Sequence, residues 1–370
     1  MKTNRASQFA ICSLEPAVRR LQSNPQSPIP NPSFRRRAFT LIELLTVIVI
    51  IGILMGLMVG AAGPVRNMVR NWRMRSEIVQ LGLALERVRN DLGGGIQYPP
   101  DSADLNDSSN ATTTNDLQQF FRRAFPRAIL SFSGGTVSAL NAPGGSALGT
   151  AILPSNPAEA LVFWLGGMRD TNGNFVGFSS NQINPFDTTT GSSRIGPFFD
   201  FDRSRVAPGS ANTSSNFGTN PWNWVYYPQN DLTLPTGGPT AGTITPQPYT
   251  YFKAVANQYA PAFKSGYNWN YAMPFVDAAA TIQAQSSSSG AVVWVNPQSY
   301  QLLCPGLDGL YGNVTGASTA AATADGNPPL WPAGSWSGTS VSASGNNYGV
   351  NTRDDITNFV KGGTLASDIP

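Results

Sequence analysis

Residues 38–54 read Ala-Phe-Thr-Leu-Ile-Glu-Leu-Leu-Thr-Val-Ile-Val-Ile-Ile-Gly-Ile-Leu, an apolar run with one carboxylate, Glu43. The apolar character continues to Ala62, so residues 39–62 have the length of about 20 residues that a bilayer-spanning helix needs. An ionised acid inside lipid costs roughly 2.5–3.5 kcal/mol on insertion scales. No other residue of the segment carries a charge that can pair with Glu43. Glu43 therefore needs either a partner from elsewhere or a functional purpose in the membrane.

The residues before this segment are basic. Residues 1–38 contain seven Lys or Arg and one acid, whereas the whole chain contains 24 basic and 21 acidic residues. Residues 39–370 therefore carry 17 basic and 20 acidic residues, a net charge of −3. The basicity of the chain thus belongs to its first 38 residues and does not indicate a nucleic-acid-binding surface. Cations before the span favour a cytoplasmic N-terminus. Four arginines between positions 66 and 75, on the other side of the span, reduce the difference in positive charge on which this orientation depends.

The hexapeptide Phe-Thr-Leu-Ile-Glu-Leu, after a basic leader and a small residue, closely resembles the N-terminal signal of type IV pilins and type II secretion pseudopilins. The resemblance implies that a prepilin peptidase cuts between Ala38 and Phe39 and methylates the new amine. It also implies that Glu43 meets the N-terminal amine of a neighbouring subunit during filament assembly. The chain departs from the family in its long leader and in Ala38, where glycine is usual. An uncleaved signal anchor is the alternative, which would not require the ordered hexapeptide.

The helix is expected to continue beyond the membrane. Its apolar residues recur at intervals of three, four and seven, which is typical of a one-sided amphipathic helix: Val65, Met68, Val69, Trp72, Val79, Leu83, Val88 and Leu92. The predicted fold is α+β, with a long N-terminal transmembrane helix, the pilin spine, packed on a β-rich globular head. The expected boundaries are a cleaved leader (1–38), a membrane half (39–62), an amphipathic half (63–95) and the head (96–370).

The head contains short segments separated by turn residues. A cap, a proline at the first helical position and a glutamate at the third predict a short helix over Pro157–Leu165. Residues 101–116 are predicted to form an exposed loop, and the low-complexity residues 313–347 a surface excursion. Aromatic and β-branched content predicts these strands: Asn174–Phe178, Pro197–Phe201, Trp224–Tyr227, Tyr249–Lys253, Ala291–Val295 and Tyr300–Cys304.

Two acidic segments near the C-terminus suggest a metal site. Asp308-Gly309, followed by Asp354-Asp355-Ile356, resembles the loop that holds calcium in the major pseudopilin of type II secretion, although the family's loop is much shorter. The resemblance implies that Asp308, Asp354, Asp355 and the main-chain carbonyl of Leu303 bind Ca²⁺, a cation that prefers oxygen ligands. The alternative is structural: Asp308-Gly309 forms a tight turn, and Asp354 or Asp355 caps a helix that begins near Ile356.

The composition offers little support for an enzyme. Histidine is absent, which removes the commonest general base and transition-metal ligand. The sequence has no phosphate-binding lysine loop, dinucleotide fingerprint, nucleophile elbow or zinc spacing. Asp200 with Asp202 resembles a glycosidase pair only superficially, because carboxylates so near in sequence rarely flank a sugar. We expect no cofactor apart from calcium. Of the two cysteines, Cys12 is expected to leave with the leader, so Cys304 would have no partner for an intramolecular disulfide.

These observations favour a structural subunit that polymerises through its N-terminal helix in a type II secretion pseudopilus or a type IV pilus-like filament. The resemblance implies as partners other copies of the chain, the prepilin peptidase, an inner-membrane assembly platform and minor pseudopilins, with no nucleic acid. It places a single-pass protein in a bacterial inner membrane, with the head periplasmic or extracellular. The alternatives are a minor tip subunit that binds a secreted substrate or an adhesive target, and a membrane-anchored envelope protein.

Overall fold

The computed structural model describes residues 39–101, 111–133, 136–139, 149–152, 154, 157–170, 172–181, 183–188, 191, 193–208, 224–229, 246–259, 272–286, 292–311, 329–332, 335–337, 340–342, 353–361 and 363–368. The chain divides into two compact units, residues 1–60 and residues 61–370. The predicted leader lies outside the described residues.

The N-terminal helix α1 runs from Leu41 to Asp91, which confirms the expected long helix. Leu, Met and Ala favour helix, and the interior Pro64 does not end it. In the first unit, the large apolar side chains from Phe39 to Val59 are all exposed. Within the described residues, α1 is the one helix long and apolar enough to cross a membrane, judged by length and composition.

Within the second unit, α1 has two apolar faces, so the expected one-sided pattern is wrong. One face is buried against the head and comprises Met74, Ile78, Leu81, Leu85, Val88 and Leu92. The other is an exposed stripe, defined here as Val65, Met68, Val69, Trp72, Val79 and Leu83. Trp72 and Leu83 each stand two residues before a buried residue, and two residues turn about 200° around a helix of 3.6 residues per turn. The stripe therefore points away from the head.

The remaining helices and strands are short. The helices are α2 (Ala111–Ala124), α3 (Pro157–Gly166) and α4 (Ala278–Ser286). The strands are β1 (Leu130–Ser133), β2 (Thr136–Ala139), β3 (Gly149–Ile152), β4 (Met168–Arg169), β5 (Phe175–Ser179), β6 (Arg194–Ile195), β7 (Val206–Pro208), β8 (Trp224–Tyr226), β9 (Thr250–Lys253), β10 (Val276–Asp277), β11 (Tyr300–Cys304), β12 (Leu330–Trp331), β13 (Ser335–Ser337), β14 (Ser340–Ser342) and β15 (Ile356–Thr357).

The strands form several small sheets instead of one large sheet. Three antiparallel sheets have the orders β1-β2-β3, β4-β5-β6 and β15-β11-β9, and two antiparallel pairs are β7 with β8 and β13 with β14. Strands β10 and β12 pair in parallel. The mixture of one long helix with a sheet-containing globular region confirms the α+β class and is consistent with a pilin-like fold.

Helix α3 lies at the centre of the head. All its residues are buried, and it packs against β5, β8 and β9. Trp164 donates a hydrogen bond of 2.8 Å from its indole nitrogen to the Pro100 carbonyl, and its ring contacts Phe120, Phe121 and Phe163. The same hydrophobic core includes the buried face of α1 and residues of α2 and β11. This packing fixes the second half of α1 against the head.

Several sequence predictions are confirmed, including the helix at Pro157 and the strands near Phe175, Trp224, Thr250 and Tyr300. Others are wrong. Residues 111–116 lie in α2 instead of an exposed loop, while residues 102–110 fall outside the described residues. Residues 197–201 form no strand, and within 292–295 there is only an isolated bridge at Trp294. Part of the expected surface excursion is structured, because it contains β12, β13 and β14 and buries Leu330.

Candidate functional site

The first turn of α1 is closed by Thr40 and Glu43. The backbone N–H of Thr40 and its hydroxyl donate to Glu43 Oε2 at 2.9 and 3.0 Å. In return, the backbone N–H of Glu43 lies 3.3 Å from Thr40 Oγ1. This reciprocal arrangement is a capping box, which satisfies donors that would otherwise be unpaired at a helix start. The partner of Glu43 within its own segment is therefore neutral and lies three residues away, a contact that was not predicted from the sequence.

The predicted processing residues lie beside this cap. Phe39 immediately precedes Thr40 and is 80% exposed, whereas Ala38 lies outside the described residues. Both hydrogen bonds that the described residues make to the Glu43 carboxylate end on Oε2. The second oxygen, Oε1, is thus left for another donor. The roles assigned to Ala38, Phe39 and Glu43 stay predictions.

The C-terminal acidic residues are brought together by a turn after β11. Asp354 Oδ2 accepts hydrogen bonds from the backbone N–H groups of Leu307 and Asp308, at 2.6 and 3.1 Å. Asp308 Oδ1 accepts from the backbone N–H of Leu310 at 2.8 Å, as expected for an aspartate within a turn. Asp308 and Asp354, which are 46 positions apart in sequence, are therefore neighbours in the structure. The resemblance implied that these two acidic segments lie together.

Asp355, the residue after Asp354, is 2% exposed. Its Oδ1 has no hydrogen-bond partner among the described residues. Burial raises the pKa of Asp355 well above its usual range, and the charges of Asp354 and Asp308 raise it further. Burial also raises the pKa of Asp308 to about 7, with a further contribution from the charge of Asp354. Three acids with mutually unfavourable charges therefore share one small region.

A divalent cation would relieve this repulsion, and the orphaned oxygen of Asp355 fits a calcium ligand. The fit is incomplete, because the described residues bring no group of three Asp, Glu, His or Cys side chains together as a metal site. The Leu303 carbonyl accepts a 2.7 Å hydrogen bond from the Tyr311 hydroxyl inside the core. The alternative of a helix cap is wrong, because Ile356 begins strand β15. The turn at Asp308-Gly309 is present, with Gly309 at a φ of 72°.

A partly buried charge cluster, which was not predicted from the sequence, holds the second half of α1 against the head. Glu77 accepts hydrogen bonds from the hydroxyls of Tyr226 and Tyr249 at 2.6 and 2.7 Å. Its Oε2 also forms an ion pair of 2.6 Å with Arg205, and each of these two side chains is 15% exposed. The available signal was the position of Glu77 between Met74 and Ile78 on the buried face of the helix. Its partners come from residues more than a hundred positions away, which the pattern cannot identify.

Comparison with known proteins concerns the N-terminal region. Residues 33–59 match the family described as the prokaryotic N-terminal methylation motif. No curated protein and no solved structure gives a significant match to the chain. The matched motif supports a type IV pilin-like precursor that a prepilin peptidase processes, and together with the apolar helix it supports membrane anchoring. Residues 33–59 therefore carry the N-terminal signal of the type IV pilin and pseudopilin family.

Proposed function

We propose that the mature chain is a structural subunit of a type II secretion pseudopilus or a related type IV pilus-like filament, polymerised through α1. The observation that carries this proposal is the exposure of apolar surface along α1. The large side chains described between Phe39 and Val59 are exposed, and in the second unit the stripe faces away from the head. Monomeric soluble proteins rarely expose long contiguous apolar surfaces, which mark membrane or protein interfaces.

The chemistry of assembly centres on Glu43. Cleavage after Ala38 creates a new amine on Phe39, the residue immediately before the capping box. Glu43 Oε2 stays with Thr40 of its own chain, while Oε1 meets the amine of a neighbouring subunit. The cap thus holds the carboxylate in position, and the pairing removes the charge that makes Glu43 unfavourable in lipid. This division of the two oxygens is part of the proposal.

The same proposal places the chain in a bacterial inner membrane, with the N-terminus cytoplasmic and the head on the other side. Its partners are other copies, the prepilin peptidase, an inner-membrane assembly platform and minor pseudopilins. The alternative of a tip subunit would suit a large head with a high aromatic content. Trp224 is buried and Trp331 is partly buried, while Trp222 and Trp269 lie outside the described residues. Trp224 and Trp331 therefore give that alternative no support.

The N-terminal residue of the membrane-extracted protein tests the proposal. We expect mass spectrometry to find N-methylated Phe39 in cells with a prepilin peptidase and the uncleaved leader in cells without it. In sheared filaments, we expect the wild-type chain to be abundant. We expect Glu43→Ala to be processed and membrane-bound but absent from filaments, whereas the isosteric Thr46→Val in the same helix assembles. An intact leader in peptidase-positive cells, or normal incorporation of Glu43→Ala, would overturn the proposal.

We further propose that Ca²⁺ binds at Asp308, Asp354 and Asp355. The support is the orphaned, buried Oδ1 of Asp355 beside two other acids. When bound, the cation supplies the positive charge that these carboxylates lack. The test is thermal unfolding of the full chain in detergent at neutral pH. We expect Ca²⁺ to raise the Tm more than equimolar Mg²⁺ does, and we expect Asp355→Asn to abolish the difference. Equal effects of the two cations on the wild type would contradict the proposal.

A further inference from the structure

A second buried cluster joins α2 to β9. Lys253 Nζ lies 2.5 Å from Asp116 Oδ2, and these side chains are 6% and 14% exposed. The two residues are 137 positions apart in sequence. The buried ammonium and the largely buried carboxylate have lost most of their solvent, so water competes little with a reaction between them.

Asp101 is a third member of the cluster. Its Oδ2 accepts a 3.0 Å hydrogen bond from the backbone N–H of Lys253, and the residue is 5% exposed. Burial raises the pKa of Asp101 to about 7, and the nearby charge of Asp116 raises it further. Burial lowers the pKa of Lys253, against the opposing influence of Asp116. The cluster therefore favours a neutral amine and a protonated carboxyl, the forms that acid–base chemistry requires.

The second oxygen of Asp116 is also held. Gln97 donates a short hydrogen bond from its side-chain amide to Asp116 Oδ1. The amide oxygen of Gln97 in turn accepts a 2.9 Å hydrogen bond from Arg123, which orients the amide. A donor on Oδ1 withdraws electron density from the carboxyl carbon and stabilises negative charge that develops on that oxygen during attack. The amine thus faces one oxygen of Asp116, while a donor polarises the other.

We propose that Lys253 and Asp116 condense into an intramolecular amide that joins β9 to α2. Lys253 Nζ, once deprotonated, attacks Cγ of Asp116, and a C–N bond forms. The bond from Cγ to Oδ2 then breaks, and Oδ2 leaves as water. Two of the three ammonium protons depart with that water, relayed by Asp101, and one stays on the amide nitrogen. The ion pair and the products are both neutral overall, and the reaction consumes no oxidant or other reagent.

Such a bond would provide a covalent constraint by a route other than a disulfide. Once the leader is removed, Cys304 is the single remaining cysteine, so the mature chain cannot close an intramolecular disulfide. A cross-link spanning 137 positions restricts the unfolded chain, as a disulfide across a long loop does. The inference concerns the head and does not depend on filament assembly.

Peptide mapping of the denatured full-length chain tests the proposal. We expect the peptides that contain Asp116 and Lys253 to be found joined, with a combined mass lower by one water, and fragmentation to place the link between those two side chains. Lys253→Arg and Asp116→Ala should give separate peptides. Asp116→Asn is a positive control, because its amide can form the same bond by releasing ammonia, so its joined product has the wild-type mass.

Asp101→Asn separates proton relay from packing, because it preserves the shape of the side chain. We expect this variant to give unjoined peptides while its circular dichroism stays that of the wild type. If the wild-type peptides are separate and each has its sequence mass, Lys253 and Asp116 form only a buried ion pair, and the proposal is overturned. A joined pair in Asp101→Asn would overturn the role assigned to Asp101.

Discussion

The Tyr226 hydroxyl donates a 2.6 Å hydrogen bond to the Glu77 carboxylate, which connects strand β8 to the second half of α1. Arg205 lies over the ring of the same tyrosine, 4.4 Å from its centroid, and pairs with the same carboxylate. One acid on the helix therefore satisfies a cation and two tyrosine hydroxyls of the head. A partly buried charge of this kind favours one rotation of α1 about its axis, because a slipped helix would leave Arg205 without its counter-ion.

Replacing Glu77 is expected to destabilise the head strongly. Glu77→Gln keeps the shape of the side chain but leaves the partly buried Arg205 without a counter-charge. Breaking a fully buried pair in this way costs about 3–5 kcal/mol, which is the upper bound for this partly buried pair. Asp91→Asn makes the same change of charge at an exposed position of the same helix and should shift stability by less than about 0.5 kcal/mol. Denaturant unfolding of the full chain in detergent, followed by tyrosine and tryptophan fluorescence, measures both. Equal midpoints for the two variants would contradict the structural role of Glu77.

Removing the cap of α1 is expected to loosen its first turn. Thr40→Ala removes the side-chain oxygen that caps the helix, a loss of about 0.5–2 kcal/mol. Hydrogen exchange in detergent should then be faster at the amides of Glu43 and Leu44. Thr46→Ala is the matched control, because the Thr46 hydroxyl donates to the Glu43 carbonyl within the helix and takes no part in the cap. Unchanged exchange in Thr40→Ala would show that the capping box does not stabilise this turn.

The turn that carries Asp308 requires glycine at position 306. Gly306 has a φ of 56°, and an added Cβ would lie 2.5 Å from both the carbonyl oxygen and Oδ2 of Asp354. Gly306→Ala is therefore expected to lose about 1–3 kcal/mol of stability, since backbone strain and displacement of Asp354 act together. Gly191→Ala isolates the strain, because Gly191 has a φ of 90° but no atom within 4 Å of the added Cβ. A loss in Gly306→Ala no larger than that in Gly191→Ala would rule out the contact with Asp354.

Without calcium, the stability of the folded chain is expected to fall as the pH rises from about 4 towards about 7. The lower limit is the pKa of an aspartate in the unfolded chain, and the upper limit is the raised pKa of Asp308 in the folded chain. The pKa of Asp355 is raised in the folded state, so the folded chain keeps a proton that the unfolded chain has released. Stability is then greatest when the group is protonated and declines as it ionises. The Tm of the full chain in a chelating buffer should therefore be lower at pH 7 than at pH 5.

Asp355→Asn removes the buried titrating group and should flatten this part of the pH profile, whereas the exposed Asp91→Asn should retain it. Since other carboxylates also titrate over this interval, the comparison between the two variants isolates the contribution of Asp355. Parallel profiles for wild type and Asp355→Asn would refute the assignment.

Local sequence determined the N-terminal part of the protein. The methylation motif, the helix from Leu41 and the capping pair Thr40 and Glu43 all lie within a few residues of one another, so periodicity and short-range hydrogen bonds suffice to specify them. Strand β11 was likewise predictable, because a run of aromatic and aliphatic residues between turn signals has few other stable conformations.

Tertiary structure decided which apolar residues of α1 are buried. Trp72 and Leu83 are as apolar as Met74 and Leu85, so the sequence pattern does not distinguish the exposed face of the helix from the buried one. The packing of the head buries Met74 and Leu85 and leaves Trp72 and Leu83 exposed. It also decided the partners of Glu77, the pairing of Lys253 with Asp116 and the meeting of Asp308 with Asp354. Each of these contacts joins positions at least 46 residues apart. Such contacts follow from how the small sheets and α3 pack together, which no local propensity encodes.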